Sequence, residues 1–107
     1  MSDELIIEPR KVQDMMQGGA KFLLLDCREP WEFQAARIEG AMLIPMREIP
    51  ERVDEIPKDR AVVVYCHAGV RSFDVASWLK RQGVNALSMR GGIDRWSMEI
   101  DPKVPRY

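Results

Sequence analysis

Apolar residues fall along the chain in short runs separated by polar segments rich in Gly and Pro. Leu5-Ile6-Ile7, Phe22-Leu23-Leu24-Leu25, Ala41-Met42-Leu43-Ile44, Ala61-Val62-Val63-Val64-Tyr65 and the stretch from Val84 to Met89 each have the length of a strand. The fourth is β-branched throughout its centre, as a strand buried on both faces requires. Between these runs the spacing turns helical. Pro9 suits the first position of a helix to Gln17, with Val12, Met15 and Met16 on one face and Gly18-Gly19 as its stop. The methionines there read as core filler. Pro30 to Ala36 predicts a short helix with Phe33 inward and Glu29 and Glu32 on its rim. Met46 to Val53 predicts a helix interrupted or restarted at Pro50, and Pro57-Lys58-Asp59 a turn. Phe73 to Gln82 predicts a longer helix stopped by Gly83. Gly91-Gly92 opens a last helix with Trp96 on its buried side. The tail from Asp101 to Tyr107 holds two prolines and is expected to be wrapped or loose.

Strands alternate with helices, which calls for an α/β domain: a central, mostly parallel five-stranded sheet with helices on both faces. The length of 107 residues fits one domain over 1–107. Ligands in such folds bind beyond the carboxyl ends of the strands. Asp26-Cys27-Arg28 and Cys66 both lie at such ends, so they are expected to share one rim.

Charge and composition narrow the function classes. With 16 basic and 17 acidic residues the formal net charge is −1, which offers no argument for nucleic acid or an anionic membrane. No apolar run approaches the ~20 residues of a membrane span. The acidic start Met1-Ser2-Asp3-Glu4 is unlike a signal peptide, so a cytoplasmic location is expected. There the two cysteines would stay reduced. One histidine and two cysteines without ligand spacing point to no metal, and no cofactor is called for. A monomer or weak dimer is expected.

The chemistry concentrates in Tyr65-Cys66-His67-Ala68-Gly69-Val70-Arg71-Ser72. A cysteine ends the buried strand, a Gly-containing loop follows, and a helix begins. Successive amides in such a turn can point at an anion, and the helix dipole adds positive potential. Both effects favour thiolate over thiol at Cys66. Arg71 adds a fixed charge, either for an anionic donor or for a carboxylate such as Asp74. His67 either tunes the sulfur or is an exposed loop side chain. Ser72 is either a helix cap or a contact for the sulfur. Asp26 and Arg28 are expected to form a structural ion pair or to brace the loop. Cys27 either fills an apolar slot or lies near enough to Cys66 to resolve a persulfide or form a disulfide.

Four segments, in order, resemble the single-domain rhodaneses, a sulfurtransferase family. They are Asp26-Cys27-Arg28-Glu29-Pro30-Trp31-Glu32-Phe33, then Arg37-Ile38-Glu39-Gly40-Ala41 with Ile44-Pro45, then Tyr65 to Ser72, and Gly91-Gly92-Ile93 with Trp96. The resemblance spans nearly the whole chain. It implies the rhodanese-like fold, with Cys66 as a nucleophile that carries sulfur as a persulfide. It also implies His67, Ala68, Gly69, Val70, Arg71 and Ser72 as the cradle, and Asp26, Arg28 and Arg37 in support. The implied partners are a small donor such as thiosulfate or a persulfide and an acceptor that is cyanide, a thiol or a protein. Family members often have His in place of Arg37 and an aliphatic residue in place of Cys27. The loop lacks the second basic residue of members that favour thiosulfate. Two other readings compete: a rhodanese-like binding module without catalysis, and a Cys-dependent phosphatase or arsenate reductase. The last group uses five residues between Cys and Arg, whereas four separate Cys66 from Arg71 here.

Overall fold

The computed structural model describes residues 3–107; Met1 and Ser2 of the acidic start lie outside the described residues. Five strands form one sheet: β1 (Ile6–Ile7), β2 (Phe22–Asp26), β3 (Met42–Leu43), β4 (Ala61–Tyr65) and β5 (Asn85–Met89). Their order across the sheet is β1-β5-β4-β2-β3, and every pairing is parallel. Three α-helices lie between strands, α1 (Pro9–Gln17), α2 (Pro30–Ala35) and α3 (Val70–Arg81), and α4 (Gly92–Glu99) follows β5.

The β-branched run takes the centre because both faces of β4 are covered. Val62, Val63, Val64 and Tyr65 have no exposed surface, and full burial of a Val contributes about 1.5 kcal/mol or more. Alternate residues face opposite layers. Val62, Val64, Leu25 and Cys66 meet Val75, Ala76 and Leu79 of α3 together with Ile49 and Ile56. Val63, Tyr65 and Leu24 meet Val12 of α1 and Ile93 and Trp96 of α4. Helices thus cover both faces, as the sequence predicts.

Two elements differ from expectation. The segment from Met46 to Val53 restarts at Pro50 as expected, but as two 3-10 stretches, Met46–Glu48 and Pro50–Glu55, rather than as α-helix. Pro50 has no N–H for a helical ladder, and Arg52 sits at φ −116°, outside helical geometry. Helix α3 starts at Val70, three residues before the predicted Phe73, which places Arg71 and Ser72 inside its first turn. The tail is wrapped rather than loose. Val104 is buried, Ser97 Oγ donates to its carbonyl at 2.8 Å, and Arg106 pairs with Asp94 at 2.8 Å. No helix among the described residues is long and apolar enough to cross a membrane.

Candidate active site

Strand β4 ends at Tyr65, and the chain leaves the sheet at Cys66. Gly69 then turns it at φ +100°, a left-handed conformation that favours glycine, and α3 begins at the next residue. This tight reversal aims two amides back at the sulfur. Gly69 N donates to Cys66 Sγ at 3.1 Å and Ser72 N at 3.3 Å. Ser72 Oγ lies 3.4 Å from the sulfur and shares a 2.7 Å hydrogen bond with Ser88 Oγ on β5. The sulfur therefore accepts an amide in the first turn of α3, the task a capping side chain usually performs. Ser72 is not the cap; it is the third residue of the helix and contributes its amide to the sulfur. Cys66 itself is 1% exposed, so the sulfur is enclosed by the loop and the core beneath it.

The loop is held from below by α4. Ile93 N donates to Cys66 O at 2.9 Å and Asp94 N to His67 O at 3.1 Å. A Cβ on Gly92 would stand 2.4 Å from both carbonyl oxygens. Gly92 is needed here because two backbones approach too closely for a side chain.

Arg71 does not pair with Asp74, the local carboxylate. Its guanidinium makes a two-pronged pair with Glu32, 2.7 Å to Oε1 and 2.9 Å to Oε2. Asp74 is exposed, whereas Glu32 is already oriented. Glu29 N donates to Glu32 Oε1 at 3.0 Å and the Tyr107 hydroxyl to Oε2 at 2.7 Å. Glu32 is accordingly buried rather than on a rim. The Arg71 hydrogen bonds pull its carboxyl down to about 2. The pair cancels most of the charge that Arg71 would offer an anion.

Asp26 and Arg28 form the expected ion pair, 2.7 Å at its shortest and wholly buried. Arg28 also donates to Glu32 O at 3.3 Å, Ala36 O at 2.6 Å and the Tyr107 hydroxyl at 2.7 Å. Its guanidinium lies against the rings of Tyr65 and Tyr107, 5.4 and 5.5 Å from their centres. Burial opposes its charge, but the hydrogen bonds to Asp26 and Tyr107 outweigh burial and its pKa rises. This cluster braces the segment that presents Glu32; it does not touch the sulfur. Arg37 stays exposed, 4.7 Å over the partly buried Phe33 ring, and is not brought to Cys66.

His67 is half-buried rather than exposed. Its ring meets Tyr107 edge-on at 4.5 Å, and its Nδ1 is enclosed with no hydrogen-bond partner among the described residues. Ala68 and Val70 face outward. Sequence reasoning missed Tyr107, Ser88 and the role of Glu32. The Glu29-x-x-Glu32 spacing of a capping box could have drawn attention to Glu32; nothing near Tyr107 or Ser88 in the chain signals either. Cys27 lies in the core beside Cys66, its thiol 3.5 Å from Tyr65 O.

A strand-end thiol that accepts two main-chain amides, on a five-stranded parallel sheet, defines a cysteine-centred domain of the rhodanese-like class. The chain belongs to the rhodanese-like domain family, whose pattern matches residues 8–99. It is 46% identical over 92 residues to a sulfurtransferase of Allochromatium vinosum, covering 85% of this chain and 86% of that one. It is 36% identical over 104 residues to the probable adenylyltransferase/sulfurtransferase MoeZ of Mycobacterium tuberculosis. That match takes in 94% of this chain but spans only about a quarter (26%) of the relative's length. The crystal structure of a rhodanese-related protein from Thermoplasma volcanium superposes with a TM-score of 0.83 at 28% identity, covering 94% of this chain and 97% of that one.

Proposed function

We propose that this domain is a sulfurtransferase that passes a sulfane sulfur from a small donor to a thiophilic acceptor through a persulfide on Cys66. The observation that supports this best is the fit of the cradle to a single sulfur. Two amides and a hydroxyl lie within 3.1 to 3.4 Å of Sγ itself. A phosphoryl group would need three equatorial oxygens held by the loop and its arginine. Here the amides are engaged by the sulfur and Arg71 by Glu32. The named sulfurtransferase relative, similar over most of both chains, points the same way.

In the reaction the Cys66 thiolate attacks the outer sulfur of the donor. The new S–S bond takes the thiolate's electron pair, and the donor's own S–S bond breaks with its pair on the leaving group. That group is sulfite from thiosulfate or a thiolate from a persulfide. The acceptor, whether cyanide, a thiol or a protein thiol, then attacks the outer sulfur, and Cys66 leaves as thiolate. This is double displacement with ping-pong kinetics. Attack by a thiolate needs no general base. The Gly69 and Ser72 amides stabilise the thiolate at the start and end of each half-reaction.

Intact mass after incubation with thiosulfate, and separately with a low-molecular-weight persulfide, tests the proposal. A gain of about 32 Da that maps to Cys66 and is absent in Cys66→Ser is the expected result. No gain from either donor would overturn it.

A further inference from the structure

We propose that Cys27 is a built-in resolving thiol that discharges an unused Cys66 persulfide as hydrosulfide, closing a Cys27–Cys66 disulfide. This rests on the persulfide reading above. Strands β2 and β4 pair in register, Leu25 with Val64 and Asp26 with Tyr65. Pairing continues past the strand ends, since Cys27 N donates to Tyr65 O at 3.1 Å. Cys27 and Cys66 are therefore the first residues beyond two paired strand ends. Side chains alternate along a strand. Leu25, Val64, Cys27 and Cys66 all belong to the layer under α3, while Leu24, Val63 and Tyr65 belong to the other. The two thiols thus stand side by side in one buried layer. Adjacent strands run about 4.8 Å apart, within the roughly 4.4 to 6.8 Å Cα separation a disulfide spans.

The step needs no outside oxidant. The sulfane sulfur on Cys66 is itself the two-electron acceptor. Cys27 sulfur attacks Cys66 Sγ and forms the Cys27–Cys66 bond. The bond between Cys66 Sγ and the outer sulfur breaks, and its electron pair leaves with that sulfur. The proton of the Cys27 thiol goes to the departing atom, so one thiol and one persulfide anion become one disulfide and one HS⁻. The two cysteine sulfurs are oxidised together and the sulfane sulfur is reduced.

The environment of Cys27 also sets when this happens. Burial first, and the neighbouring Cys66 charge second, hold it as a thiol. A thiol is a much weaker nucleophile than a thiolate. A thiolate acceptor in solution therefore takes the sulfur first, and Cys27 acts only on a persulfide left waiting. The disulfide is reopened by thiol exchange, which returns both cysteines to their starting state.

The test loads the protein with cysteine persulfide under anaerobic conditions, removes the excess donor and withholds any acceptor. Non-reducing intact mass and released sulfide are then followed. The wild type is expected to pass from about 32 Da above its reduced mass to about 2 Da below it, with roughly one sulfide per chain. A non-reducing peptide map should join the Cys27 and Cys66 peptides. Cys27→Val, which fills the apolar slot, and Cys27→Ser should both keep the added sulfur at least about tenfold longer. Loading without the cross-link, or equal persulfide lifetimes in the wild type and a folded Cys27 variant, would overturn this inference alone. Failure of Cys66 to load at all would overturn the sulfur-transfer reading and this one with it.

Discussion

Glu32→Gln should separate the structural from the catalytic duties of the Glu32–Arg71 pair. The substitution keeps the shape of the side chain but removes the charge that accepts two guanidinium bonds. Glu32 is held at about 2 against an ordinary 4.5, chiefly by Arg71. A difference of that size corresponds to about 3 kcal/mol of stability at neutral pH. Arg71 is partly solvated, with 35% of its side chain exposed, so screening reduces the expected loss to about 2 kcal/mol. In a domain of this length that lowers the melting temperature by roughly 8 to 12 °C. The pH dependence is the sharper readout. A carboxyl whose folded pKa is depressed stabilises fully above its unfolded pKa and loses that stabilisation as pH falls through the folded one. The wild-type advantage over Glu32→Gln should therefore be constant from pH 7 to about 5, shrink steadily below that and vanish only below about pH 2. Urea unfolding of both proteins across that range measures it, and a cycle with Arg71→Met assigns the pair its share. A stability gap that does not change with pH would mean that packing, not charge, explains it, and the argument from the Arg71 pair would fail.

Gly92→Ala should be far more damaging than Gly40→Ala, although both glycines have positive φ. An alanine at 92 meets two backbone carbonyl oxygens at 2.4 Å that cannot move without opening the Cys66 loop, whereas nothing lies within 4 Å of position 40. Costs of about 3 kcal/mol or more and about 1 kcal/mol are expected from denaturant midpoints, and comparable values would refute the close-approach explanation. Ser72→Ala keeps the amide on the sulfur but removes the hydroxyl and strands the buried Ser88 Oγ. It should cost about 1 to 2 kcal/mol and slow persulfide loading roughly tenfold, as rapid-quench mass measurements would reveal; an unchanged loading rate would exclude the hydroxyl from the cradle.

What can be read from the chain and what cannot divides along the distance between partners. The β4 run, the cysteine at its end and the glycine turn after it are neighbours in sequence, so local spacing is enough to place them together. Helix α3 begins three residues earlier than that spacing predicts because its first-turn amide is taken by a sulfur rather than by Ser, Asp or Asn. Capping rules look for an oxygen, and Ser72 offers one in the wrong place. Arg71 shows the same limit more sharply. Three residues along the helix, Asp74 is the partner that helical spacing suggests, yet an exposed carboxylate must give up rotamer freedom to pair. Glu32, 39 positions away, is already fixed by a backbone amide and by Tyr107, 75 positions from it. The preoriented acceptor wins because its ordering is shared among several donors, and no local pattern contains that information. The register of β2 against β4 is also nonlocal, but its consequence is within reach of the sequence. Two strands that each lead directly into a cysteine, at the same end of a parallel sheet, put two thiols side by side whenever those strands are neighbours. From the residues alone that adjacency is conditional; the pairing of Asp26 with Tyr65 supplies it.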